Sequence, residues 1–149
     1  MTWRIDMKAI TEKFAVFAAG FLIIGLGVGH AQIRIQVNFT MSQPFTVANT
    51  TLAPGSYTIR SVQGSDQAVL EIASVNGGHS VMVETDSAQP DPGQTGSHLV
   101  FHKYKNVLAL SEIFPSGGNT GYRLVQGEPE KLASKTEQPT KEIVNVNTK

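Results

Sequence analysis

Residues Val69 to Glu84 read VLEIASVNGGHSVMVE, and the pattern of this stretch decides the fold. On both sides of Asn76-Gly77-Gly78 one set of positions two apart, Leu70 and Ile72 before it and Val81 and Val83 after it, is apolar, which fits the period of a half-buried strand. With Asn76-Gly77 in a two-residue turn, Ile72 faces Val81 and Leu70 faces Val83, while Glu71 faces Met82 and Val69 faces Glu84. One side of the hairpin is then wholly apolar and the other mixed. A slip of one residue would turn every apolar side chain to the wrong face, so turn chemistry and face pattern specify the same pairing.

The same period continues in both directions. Upstream, Ile33, Ile35, Val37 and Phe39 alternate with Arg34, Gln36 and Asn38, and a threonine- and valine-rich run extends from Phe45 to Leu52. Pro54-Gly55 predicts a type II turn before a strand from Tyr57 to Val62, which breaks at Gln63-Gly64-Ser65-Asp66. Downstream, Ser87 to Ser97 (SAQPDPGQTGS) is a loop. A second hairpin is expected from His98 to Tyr104 and Val107 to Phe114 around Lys105-Asn106. Its two-residue turn would set Phe101 against Leu110, Lys103 against Leu108 and Leu99 against Glu112, with His98, Val100, His102 and Tyr104 on the reverse face. Pro115 to Gly121 is a further loop and Tyr122 to Val125 a last short strand.

About eight strands in sequential up-and-down order, with short turns, predict an all-β fold: a small antiparallel barrel or a two-layer sandwich. Phe39, Phe101, Leu108 and Leu110 are the bulky residues expected inside it. The final 22 residues, 128–149, hold four lysines and four glutamates with little apolar content, and are expected to form a polar, flexible tail. Within it, Glu130 to Lys135 could form a frayed helix, and Ile143, Val144 and Val146 could dock as an edge strand.

At the other end, Arg4, Lys8 and Lys13 precede an uncharged apolar run from Phe14 to Val28, followed by Gly29-His30-Ala31. Basic residues, a short apolar core and small residues before a cut are the layout of a secretory signal peptide, with cleavage expected after Ala31. The alternative is a retained anchor, for which the run falls short of the roughly 20 residues that span a bilayer. The domain organisation is therefore 1–31 signal peptide helix, 32–127 β domain and 128–149 tail. Either way the domain is expected outside the cytoplasm, periplasmic or extracellular.

Composition removes several classes of function. The 149 residues contain 12 basic and 12 acidic side chains and no cysteine. Balanced, scattered charge provides no basic face for nucleic acid. Without cysteine there are no disulfides, zinc-thiolate sites or cysteine nucleophiles, so an exported domain must be held by its β core alone.

Four segments occur in an ordered series: Phe45-Thr46-Val47, Leu52-Ala53-Pro54-Gly55-Ser56-Tyr57-Thr58, Leu99-Val100-Phe101-His102-Lys103-Tyr104 and Leu110-Ser111-Glu112-Ile113-Phe114. In this the chain resembles a family of small exported bacterial β-rich proteins of unknown function, over roughly residues 33 to 133. The chain departs from the family pattern at Ala53-Pro54, where the order is usually Pro-Ala, and at Lys105, where a turn glycine is common. The shared motifs are turns and core positions, so the resemblance implies a fold and export and no activity.

Candidate site residues are few. His98 and His102 lie on one strand face, about 13 Å apart at the strand rise, which is too far to share one metal ion. Glu112 is expected on the core face beside Leu99, Phe101 and Leu110, where a carboxylate needs a partner such as Arg60 or Arg123. Glu112, His98, His102, Tyr104 and Arg123 are therefore the candidate ligand-binding residues, with no metal site, cofactor or catalytic residue expected. Asn38-Phe39-Thr40 and Asn49-Thr50-Thr51 match the glycosylation pattern, as threonine-rich strands do by chance. Gly117-Gly118-Asn119-Thr120-Gly121 lacks the lysine and helix of a phosphate loop.

The leading expectation is a noncatalytic exported β-domain that binds an envelope or extracellular protein or a small apolar ligand. If side chains fill the interior, function moves to the loops Ser87 to Ser97 and Pro115 to Gly121. The first alternative is a small-ligand or metal-dependent enzyme built on Glu112, His98 and His102. The second is a small outer-membrane barrel.

Overall fold

The computed structural model describes residues 35–62 and 69–146. The signal segment, its cleavage and the break at Gln63 to Asp66 lie outside the described residues. Among the described residues ten strands and one short helix follow in order: β1 Gln36–Met41, β2 Phe45–Val47, β3 Thr50–Leu52, β4 Gly55–Ser61, β5 Val69–Ser74, β6 Ser80–Ala88, β7 His98–Lys103, β8 Leu108–Phe114, β9 Gly121–Leu124, α1 Glu128–Ser134 and β10 Thr140–Asn145.

The β-rich class is as expected, but the sheet is open and mixed and departs from sequential up-and-down order. Strands follow one another as β1-β4-β5-β6-β9-β8-β2-β3, with β7 on β8 and β10 on β7. The run Phe45 to Leu52 is not one strand but a tight hairpin, β2 and β3, closed through Ala48 at φ 50. That hairpin lies beside β8 through a parallel pairing of Thr46 with Ala109. Gly55 has φ 159 and opens β4, so it is extended backbone and not the third residue of a type II turn.

The deciding hairpin has the register its sequence specifies: Val69 opposite Glu84, Leu70 opposite Val83, Glu71 opposite Met82 and Ile72 opposite Val81. Its loop is four residues long, since Ser74 N–H still donates to the His79 carbonyl, and Gly77, at φ 77, donates to Ser74. A side chain at that φ would be strained, which explains the glycine.

β6 joins the two parts of the sheet. Its first half pairs with β5 and its second half, from Thr85, pairs with β9. The apolar faces of both parts feed one core that includes Val37, Phe39, Ile59, Leu70 and Ile72 from one part and Phe45, Leu99, Phe101, Leu110 and Ile113 from the other. Phe45 lies at the junction, with ring centroids 5.8 Å from Phe39, 5.1 Å from Tyr57 and 5.9 Å from Phe101. The interior is thus filled by side chains.

The second hairpin corrects its expected register. Near the turn, Phe101 faces Leu110 and Lys103 faces Leu108, as expected, but a bulge shifts the remainder so that Val100 faces Glu112 and Leu99 faces Ile113. One extra residue at Ser111 restores an apolar residue to the core and turns Glu112 to the outer face.

Residues 128–149 were expected to be a flexible tail, and 128–145 instead contain α1 and β10. Pro129 stands in the first turn of α1, and β10 pairs with β7 along its whole length. Four of the six β10 residues remain exposed, so the segment is ordered by backbone pairing and polar contacts more than by apolar burial.

Candidate functional site

The outer face of the β7–β8–β9 region carries every candidate residue, in three separate arrangements. Glu112 and Arg123 are register partners on β8 and β9, and Arg123 donates through Nε and Nη2, both 2.9 Å from Glu112 Oε1. The arginine is 57 % exposed, so this is a surface ion pair and not a carboxylate facing a pocket. Arg60, the other expected partner, donates to Glu71 at 2.6 Å and holds that carboxyl below its usual range.

His102 and Tyr104 meet a residue the sequence reading did not single out. Glu130 is 4 % exposed, and its Oε1 accepts from His102 Nδ1 at 2.7 Å, from Gln126 Nε2 at 3.3 Å and from Tyr104 Oη at 3.4 Å. Burial first, then the charges of Glu130 and Glu137, push the Tyr104 hydroxyl above its ordinary range. Glu130 is the only buried residue of α1, so its three donors fasten the helix to the sheet. Gly127-Glu128-Pro129, with proline placed to start a helix, is the sequence signal that could have found this segment.

His98 lies at the opposite end of β7. Its ring stacks on Phe114 at 4.7 Å and 19°, and Nδ1 lies 3.0 Å from the Gly96 carbonyl oxygen. A carbonyl only accepts, so this bond puts the proton on Nδ1 and leaves Nε2 as an acceptor in the neutral ring. Phe114 in turn covers Gly121, where an added Cβ would overlap the Phe114 ring. Ala88, Val100 and Phe114 form a small apolar cluster on this outer face, apart from the main core.

Above that cluster, the two loops named from sequence border a cleft of about 440 Å³, lined by residues that include Pro90, Gln94, Thr95, His98, Phe114 and Asn119. None of its lining residues is acidic, lysine or arginine. The longer loop is held at its middle by Lys141 of β10, 2.7 Å from Asp91, and at its end by Ser97 Oγ, which donates to the Phe114 carbonyl at 3.2 Å. The cleft therefore has a rigid aromatic floor, carboxamide and hydroxyl groups on its rim, and no fixed charge to favour an ionic ligand.

The five candidate residues thus do not converge. Only His98 lines the loop cleft; His102 and Tyr104 anchor α1; Glu112 and Arg123 pair with each other. Among the described residues no group of three histidine, aspartate or glutamate side chains is placed to share a metal ion. Asn49, read as part of a chance glycosylation triplet, accepts the Glu128 backbone N–H at 2.8 Å and satisfies one of the donors that a helix N-terminus leaves over. No family model, curated protein or solved structure matches the chain.

Proposed function

We propose that this protein is a noncatalytic exported β-domain that acts by binding an uncharged ligand or an uncharged segment of an envelope protein in the cleft between residues 89–97 and 115–120. The observation that carries this reading is the cleft itself: about 440 Å³, built on the His98–Phe114 stack and bordered by the two loops, the longer of them tethered through Asp91 and Ser97. A volume in this range is typical of ligand sites, and its mixed apolar and carboxamide lining suits a neutral polar molecule. The filled interior argues against a ligand enclosed between the sheets. The enzyme reading loses its main motive, because Glu112 is neutralised by Arg123 at the surface and both histidines are engaged with other residues.

Strands of three to nine residues in an open sheet do not suit the membrane-barrel reading, which needs about 9 to 11 residues per strand in a closed ring. Export rests on the signal layout of residues 1–31 and on the family resemblance. Secretion in a bacterial host is expected to yield a chain beginning at Gln32, which N-terminal sequencing reads directly.

The binding site is tested by titrating isotopically labelled protein with a library of neutral fragments and following backbone amide shifts. Perturbations are expected at Gly96, His98, Gly117, Gly118 and Asn119, and Thr95→Trp, at an exposed rim position, is expected to abolish them. Shifts that cluster instead around Glu112 and Arg123, or that persist in the tryptophan variant, would place the site elsewhere.

A further inference from the structure

Among the described residues three strands have a ladder on one side only: β1, β3 and β10. Exposed edges invite pairing with other chains, and proteins guard them by shortness, charge, proline or bulges. β3 is three residues long, and β10 carries Lys141 and Glu142. β1, QVNFTM, has no charge and no proline, and runs in unbroken register with β4 from Gln36–Arg60 to Met41–Gly55. It is the one unguarded edge of the three.

The backbone groups of β1 that have no partner among the described residues can be assigned. Ser61 N–H donates to the Ile35 carbonyl, so in antiparallel alternation Ile35, Val37, Phe39 and Met41 point their backbone groups toward β4. Val75 N–H donating to the Ser56 carbonyl, on the far side of β4, fits the same phase. Gln36, Asn38 and Thr40 therefore point their N–H and C=O groups away from the sheet. Their side chains are exposed on the outer face, while Val37, Phe39 and Met41 are buried on the inner.

We infer that β1 is a self-association strand that pairs antiparallel with β1 of a second copy, with Asn38 on the two-fold axis. This register alone sets all three outward-pointing residues in hydrogen-bonded pairs: Asn38 opposite Asn38 of the second copy, and Gln36 opposite Thr40 in both directions. Each pair exchanges two backbone bonds. It also keeps the faces matched, with Val37 opposite Phe39 on the inner side and only uncharged side chains meeting on the outer. A second copy suits this edge because the uncharged row is complementary to itself, and the interface closes on itself as a two-fold dimer. The inference is independent of the loop cleft.

Analytical ultracentrifugation of the protein purified after secretion, beginning at Gln32, is expected to give twice the mass of a single chain. Asn38→Lys and Asn38→Asp, each placing like charges across the axis, are expected to weaken association by about tenfold or more, and mixing the two variants restores it. Because the chain has no cysteine, Asn38→Cys supplies a second readout: Cα atoms in a hydrogen-bonded antiparallel pair lie about 5.5 Å apart, within disulfide range. A cross-linked dimer is expected on oxidation, and none for Thr58→Cys, one strand further in. A monomeric wild-type chain, association insensitive to charge at position 38, or failure of the mixed variants to reassociate would each overturn the inference.

Discussion

Gly127 presses its backbone against Ala48, so closely that an added Cβ would overlap the Ala48 carbonyl. The neighbouring Asn49 accepts the first backbone donor of α1, and this small contact determines where the C-terminal segment begins. Gly127→Ala is therefore expected to destabilise by about 3 kcal/mol through forced movement of backbone. Ala48→Gly should be neutral or stabilising by up to about 1 kcal/mol, since it relieves a left-handed alanine. Thermal denaturation of the two variants checks both signs.

Tyr104 gives a pH test at the same scale. Its folded pKa is raised, so the stability it contributes is complete below the ordinary tyrosine value near 10 and is lost as pH rises through the folded value. Denaturant midpoints are expected to fall above about pH 10, and Tyr104→Phe should make that fall shallower. Single side chains were only partly legible beforehand. Charge alone made Arg123 a candidate partner for Glu112, and it is. Glu130 was hidden because its importance depends on a helix placing it against His102 and Tyr104, which are distant in sequence.

At the scale of elements, local chemistry was legible where a turn and a face pattern agreed. The β5–β6 register follows from Asn76-Gly77 and from the one face that is apolar throughout. In β7–β8 the half near the turn follows the same rule, but beyond the bulge at Ser111 Ile113 lies in the core and Glu112 in register with Arg123 of β9, and no turn residue announces the shift. Deleting Ser111 would leave Leu110 inward, Glu112 outward and Ile113 inward in a regular strand. The deletion variant is thus expected to fold with the Glu112–Arg123 pair intact, at a cost of about 1 kcal/mol. Amide spectra and denaturant melts check this, and loss of the fold would show that the bulge sets the strand's twist. α1 and β10 were obscured for another reason: their order comes from backbone pairing with β7 and one buried carboxylate, whereas composition registers only their charge.

For the whole molecule, the β class and the core residues Phe39, Phe101, Leu108 and Leu110 were legible from alternation. The open mixed topology was not, because it rests on pairings between segments far apart in sequence: β1 with β4, β6 with β9, β7 with β10, and the single parallel pairing of Thr46 with Ala109. Phe45 packs against aromatic rings from both parts of the sheet, so Phe45→Ala should remove about 3–5 kcal/mol, a large share of the stability of a domain this size. Calorimetry should find one cooperative transition at a lower temperature, not two, because β6 belongs to both parts.

The hairpin of β2 and β3 also has a history in time. It emerges early from the ribosome, yet among the described residues the strand it pairs with across the sheet is β8, far downstream. Closing so long a loop costs entropy before any contact repays it, so the hairpin must wait while β4, β5 and β6 assemble from nearby partners. Until β7 and β8 arrive, Phe45 has two of its three ring contacts available, those with Phe39 and Tyr57, and lacks Phe101 of β7. The interval between those events is when a newly made chain is most exposed to mispairing, and the arrival of β8 ends it.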